Sequence, residues 1–199
     1  MQVSNTEETL GLRPSSRSLR WQSLFGMLGV APAGATLREV LRSGLGGCVA
    51  IAAIVYFCDR FASGQSASLL VASMGASAVL LFALPHGPLS QPWAVIGGHG
   101  CSALIGVACA TLVSNLPLAG ALAVGSSIAL MMLLRCVHPP GGATALSAVI
   151  GGPTVHALGL RYVFTPVLLN ALVIVSVAVA FNAVLGGRRY PAYFAGKLP

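Results

Sequence analysis

The chain has 199 residues, 56% hydrophobic and 8% charged, with a net charge of +7 and a mean hydropathy of +0.86. Soluble domains carry about 25% charged residues, so lipid is the main solvent of this chain. Its only acidic residues are Glu7, Glu8, Glu39 and Asp59, which excludes a soluble domain and leaves no paired carboxylates for hydrolytic chemistry.

Residues 1–36 form a basic segment containing Arg13, Arg17 and Arg20, with 15–30 partly amphipathic, as expected of a cytoplasmic membrane-surface element. No signal peptide is expected, because residues 1–24 lack an apolar core. Six apolar runs follow, at 41–58, 67–84, 94–113, 117–134, 141–152 and 162–185. Four of them (41–58, 94–113, 117–134 and 162–185) are long enough to cross a hydrocarbon core of about 30 Å. The run at 141–152 would reach only ~18 Å as a helix. The run at 67–84 carries Ser68, Ser73, Gly75 and Ser77 and is open to a break. Arginines precede the first span, and Arg188, Arg189 and Lys197 follow the last, so both ends are expected in the cytoplasm with an even number of crossings. Four crossings with two re-entrant inserts, or six crossings, both meet that condition. The expected fold is therefore all-α: four firm transmembrane helices plus two short or re-entrant helical segments. The expected membrane domain is 37–186, with a basic tail at 187–199.

The run from Arg135 to Thr144 (Arg-Cys-Val-His-Pro-Pro-Gly-Gly-Ala-Thr) interrupts this apolar sequence. Pro139 and Pro140 cannot continue a helix arriving from Arg135, so a new helix is expected to start at Gly142-Ala143-Thr144. A break at membrane depth is tolerated only where protein buries it or a wet cavity meets it, and a helix N-terminus there attracts anions. Gly75-Ala76-Ser77-Ala78-Val79 matches Gly142-Ala143-Thr144-Ala145-Leu146 at an offset of 67 residues, and Asn115 precedes Asn182 by the same offset. The order span, insert, span thus occurs twice, giving possible repeat halves 37–115 and 116–186. Transporters place their sites at interrupted segments in corresponding positions of two halves.

A small anion needs donors. Backbone N–H groups at Gly75, Ala76, Gly142 and Ala143, with the hydroxyls of Ser77 and Thr144, are expected to supply them. Arg135 would add fixed positive charge, and His138 and His99 titratable charge. Gly97, Gly98, Gly100, Gly106 and Gly125 are read as helix-packing positions. His86 and His156 are read as loop residues. The four histidines have no metal-ligand spacing, and the five cysteines form no Cys-x-x-Cys pair, so no metal or cofactor is expected. No basic groove with interleaved aromatics points to nucleic acid.

The chain resembles the HPP family of membrane proteins, named for the His-Pro-Pro that is His138-Pro139-Pro140 here. The resemblance runs through Ala72–Phe82, Pro85-His86, Gln91-Pro92, Val95–His99, Arg135–Leu146, Phe181-Asn182 and Gly186–Pro191. It implies four membrane spans and, from plastid and cyanobacterial members, nitrite transport. This chain has Trp93-Ala94 where members often carry an Arg-Asn pair. The reading is a non-enzymatic transporter or channel for a small inorganic anion, nitrite by resemblance, in the cell (inner) membrane as a homo-oligomer. The alternative is a non-transporting membrane subunit or sensor that binds a partner protein.

Overall fold

A computed structural model describes residues 34–61, 67–185 and 190–192, with side chains left out at 59 and 61–71. The basic stretch at 15–30 and the cations Arg188, Arg189 and Lys197 lie outside the described residues. The chain divides into units 1–37 and 38–199, and the described elements, but for the first residue of the first helix, belong to the second. They are all helical: α1 (Leu37–Phe61), α2 (Ala67–Ala83), a 3-10 turn (Pro88–Ser90), α3 (Pro92–Leu112), α4 (Leu116–Leu133), α5 (Pro139–Ile150), α6 (Gly152–His156), a π-turn (Val163–Leu168) and α7 (Leu169–Val184). Four stretches are long and apolar enough to cross a membrane: Leu37–Cys58, Pro92–Leu112, Leu116–Leu133 and Val163–Val184. These are the four spans expected from the sequence.

Proline and asparagine set the helix starts. Pro92, Pro117, Pro139 and Pro153 each occupy the first or second position of a helix, where a missing N–H is no loss. Asn115 caps α4, its side-chain oxygen accepting from the Leu118 amide at 3.0 Å. Asn182, at the matching offset, instead donates to the Ala178 carbonyl inside α7, so the two asparagines do different jobs.

Two expectations are corrected, and the last span carries a kink the apolar run did not announce. The helix after the break begins at Pro139, with His138 as its N-cap, and not at Gly142; the prolines start the helix because neither needs a donor there. The break itself is the turn 134–138, entered through Arg135 at φ 54. Gly75 is the ninth residue of an unbroken α2, so its amide belongs to the helix ladder and is not a free first-turn donor. The last run is not continuous: Thr165 is extended (φ −132, ψ 112) next to Pro166, because proline cannot supply the next ladder donor.

Close approach of backbones orders the centre. A Cβ on Gly98 would lie 2.6 Å from His138 Cβ and 2.9 Å from the Cys136 carbonyl oxygen. One on Gly106 would lie 2.6 Å from the Ala145 carbonyl oxygen and 2.8 Å from Ala148 Cβ. The order along both helices is the same, so α5 runs beside α3 in the same direction. Against α4 it runs the opposite way, with Gly142 facing Val124 and Leu146 facing Gly120. Small residues permit this contact, as between membrane helices generally. Gly97 and Gly100 also pack closely, against Cys136 and Leu168, whereas Gly125 has nothing within 4 Å of its Cβ position and is no packing contact.

A second cluster joins Ile54 of α1, Met74 and Leu81 of α2, Val95 of α3 and Ile174 and Ala178 of α7. The outer face of α1 carries exposed Leu37, Leu41, Leu45, Tyr56 and Phe57, which suits hydrocarbon.

Candidate functional site

Ser77, His99, His138 and Thr144 are each fully buried, and they form one hydrogen-bonded chain. Ser77 projects from α2, His99 from α3, His138 from the N-cap of α5 and Thr144 from its second turn. His99 lies seven residues after Pro92, about 10 Å along α3. The Ser77 hydroxyl is 2.8 Å from Nε2 of both His99 and His138. Nδ1 of His99 is 2.8 Å from the Thr144 hydroxyl. Nδ1 of His138 is 2.8 Å from the Leu89 carbonyl oxygen. The two rings meet edge to face with centroids 4.9 Å apart.

The Leu89 carbonyl fixes the direction of every bond when both rings are neutral. A carbonyl only accepts, so Nδ1 of His138 carries the hydrogen and its Nε2 is an acceptor. Ser77 must then donate to His138 and accept from Nε2–H of His99. That leaves Nδ1 of His99 to accept from Thr144. All four contacts of the ring nitrogens are complementary in this one arrangement, as burial requires.

Each hydroxyl has a second acceptor in reach. Ser77 also meets the Ser73 carbonyl at 3.2 Å, and Thr144 the Pro140 carbonyl at 3.4 Å. These two serine and threonine environments are 67 residues apart, the spacing of the Gly-Ala-Ser/Thr-Ala motif. Tyr162 donates to the Thr144 carbonyl at 2.9 Å.

The connection between α2 and α3 holds Leu89 in place. Ser90 donates to the Leu80 and Leu84 carbonyls at 3.0 and 2.8 Å. Gln91 donates to Gly87 at 2.9 Å and accepts from the Ala192 amide at 2.9 Å. Tyr190 donates to the Ser90 carbonyl at 2.8 Å, and burial pushes its phenol above the usual range.

Of the residues expected at a site, the structure brings together Ser77, His99, His138 and Thr144. Ala76, Ala143 and Arg135 are exposed, and Gly75 and Gly142 half-buried. The N-terminus of α5 offers few donors: Pro139 and Pro140 have none, and Gly141 bonds the His138 carbonyl at 2.8 Å. His86 and His156 are exposed, His156 donating to the Val149 carbonyl at 2.9 Å. Trp93 donates to the Leu134 carbonyl at 3.1 Å, tying the start of α3 to the turn that carries Arg135. Among the described residues no three His, Cys, Asp or Glu side chains gather as a metal site.

Sequence reasoning missed Tyr162, Leu89 and two buried serines, Ser102 and Ser127, whose hydroxyls make no hydrogen bond. Ser102 lies one turn beyond His99, 2.8 Å from where a Cβ on Gly141 would sit. That i, i+3 relation to His99 was the available signal. A backbone carbonyl such as that of Leu89 leaves none.

Residues 32–191 match the family model described as HPP, transmembrane region. One transmembrane protein of Dictyostelium discoideum is 37% identical over 150 residues, covering 73% of this chain and 52% of its own length. A second from the same organism is 33% identical over 168 residues, covering 82% of this chain and 54% of its own. The chain thus spans about half the length of these curated relatives. No solved structure matches.

Proposed function

The chain belongs to the HPP transmembrane family, and from this and the buried cluster we propose that it is a transporter for a small inorganic anion, with nitrite as the substrate. One observation carries the reading. The membrane-buried polar centre consists of hydroxyls and imidazoles, and α2, α3, α4, α5 and α7 contain no carboxylate that would repel an anion. Ser77 and Thr144 are donors that can turn from their present acceptors to a ligand, and Ser102 and Ser127 add hydroxyls with unused bonding capacity. Donors held in a dry site favour a compact anion that sheds part of its hydration. The cluster as it stands is closed on itself, so passage requires α2 or α5 to move relative to α3.

In this reading α2 and α5 cross together with the four longer helices, in six alternating passages of an inner membrane, and both chain ends lie in the cytoplasm. Copies of the chain associate through the lipid-facing small-residue faces. The test is uptake by purified protein in liposomes, with nitrite compared against nitrate, chloride and formate. Saturable nitrite uptake above protein-free liposomes is expected, lost on His99→Gln. Failure to move any of these anions at a verified orientation and density in the bilayer overturns the reading.

A further inference from the structure

We propose that Ser77 is a proton bridge between His138 and His99, and that the cluster holds one exchangeable proton which it carries with the substrate. This deepens the reading above and rests on it for the coupling, though not for the bridge itself. The geometry supplies three arrangements, each with its hydrogen bonds made. In the neutral one, donation runs Thr144, His99, Ser77, His138, Leu89, as derived above.

In the second, His138 carries protons on both nitrogens. With the hydrogen of His99 on Nδ1, Nε2–H of His138 donates to Ser77, Ser77 donates to Nε2 of His99, and Nδ1–H of His99 donates to Thr144, which turns to the Pro140 carbonyl at 3.4 Å. Ser77 thus accepts from one imidazole and donates to the other, as one hydroxyl can.

In the third, His99 holds the charge. Its Nδ1–H donates to Thr144, and Thr144 turns to the Pro140 carbonyl at 3.4 Å. The step from second to third leaves Nδ1–H of His99 on Thr144 throughout. The Nε2–H bond of His138 breaks as an O–H bond forms on Ser77. The original O–H of Ser77 breaks as an Nε2–H bond forms on His99. One proton leaves one ring, one arrives on the other, and the serine is unchanged. Both transfers cover 2.8 Å contacts, within the range for direct proton transfer.

The surroundings leave these rings as the titrating groups. The helices α2, α4, α5 and α7 contain no charged or histidine residue, and α3 contains only His99 with the thiols Cys101 and Cys109. Cys136 and the Tyr162 phenol complete the set near the rings, and Arg135 is exposed. Among the described residues an imidazolium here therefore has no counter-ion and is balanced by an incoming anion, so that anion and proton enter together.

The experiment has two arms. Nitrogen-15 NMR of histidine-labelled protein in bilayers reads the tautomers directly. At high pH His138 is expected with hydrogen on Nδ1 and His99 with hydrogen on Nε2, and acidification should bring one shared proton onto the pair. The second arm records nitrite uptake and internal pH together in proteoliposomes, with protein-free liposomes subtracted. Ser77→Ala should slow proton movement about 10²-fold, the lower end of what a positioned proton carrier contributes, while Ser77→Thr, which keeps the hydroxyl, restores it. Normal proton movement in Ser77→Ala, or His138 found with hydrogen on Nε2 alone at high pH, overturns the bridge. Nitrite uptake with no accompanying proton overturns the coupling. Absence of nitrite uptake beside the expected tautomers and shared titration supports the bridge and removes nitrite from the functional reading.

Discussion

Replacing Gly106 by alanine places a Cβ 2.6 Å from the Ala145 carbonyl oxygen, 2.8 Å from Ala148 Cβ and 2.9 Å from Ala145 Cα. Carbon contacts are comfortable near 3.5–4.0 Å, so α3 and α5 must separate by about 1 Å there. Two of the three atoms met are backbone, and no rotamer change relieves them. Overpacking of this kind costs about 1–3 kcal/mol. Gly75→Ala is the matched control, because nothing lies within 4 Å of its Cβ position. Both are interior helix positions, so the gain of about 0.5–1 kcal/mol from removing a helix glycine cancels between them. The difference left is the steric one, ~1–3 kcal/mol, or about 2–12 °C in midpoint for a chain of this size. The buried thiols Cys58 and Cys136 make the assay simple: heating in detergent with a thiol-reactive fluorophore reports when the core opens. Gly75→Ala should melt at or above the parent and Gly106→Ala below it. Equal midpoints would mean that backbone contact between α3 and α5 does not hold the site, and the distances argued from it would lose their basis.

Thr144→Val leaves Nδ1 of His99 without its donor and should destabilise the protein by about 1–3 kcal/mol, read in the same thermal assay; an unchanged midpoint would show that Thr144 is bonded only to Pro140. Arg135→Gly removes the charge while relieving a left-handed backbone that costs an L residue about 1–2 kcal/mol, so the protein should be at least as stable as the parent. Nitrite uptake that falls in that stable variant at every pH from 5.5 to 8 identifies Arg135 as the fixed attraction at the entrance, and unchanged uptake assigns it to the interface. Tyr190→Phe deletes the bond to the Ser90 carbonyl, and hydrogen exchange of the 89–91 amides should rise several-fold, as loss of about 1 kcal/mol implies. Trp93→Phe should loosen the turn at 134–138 by a similar amount, whereas Trp93→Arg retains a donor for the Leu134 carbonyl and adds a cation beside Arg135.

Lipid burial made much of this fold legible. Uninterrupted apolar runs predicted all four spans to within a few residues, because length and hydropathy are nearly sufficient in hydrocarbon. Pro139 and Pro140 located the break but misled on its sense: the same missing N–H that ends one helix is what suits proline to begin the next. The kink at Thr165-Pro166 left no mark in the hydropathy of the last run, since an apolar run hides a local loss of one donor. The site was legible wherever its chemistry sits in side chains. Ser77 and Thr144 were named from a motif repeated at 67 residues, and the structure sets them on the two nitrogens of His99, each at 2.8 Å. Their second acceptors, the carbonyls of Ser73 and Pro140, stand at the same offset. The backbone donors expected from Gly75 and Gly142 did not follow, because those glycines lie beyond the helix starts. What no motif announces is the Leu89 carbonyl, and it decides the most. Among the contacts of the two rings it alone cannot reverse. It selects the tautomer of His138, and through Ser77 it orders the donors as far as Thr144. A chain of reversible donors pinned at one end has a resting direction, and it returns to that direction once the extra proton has left.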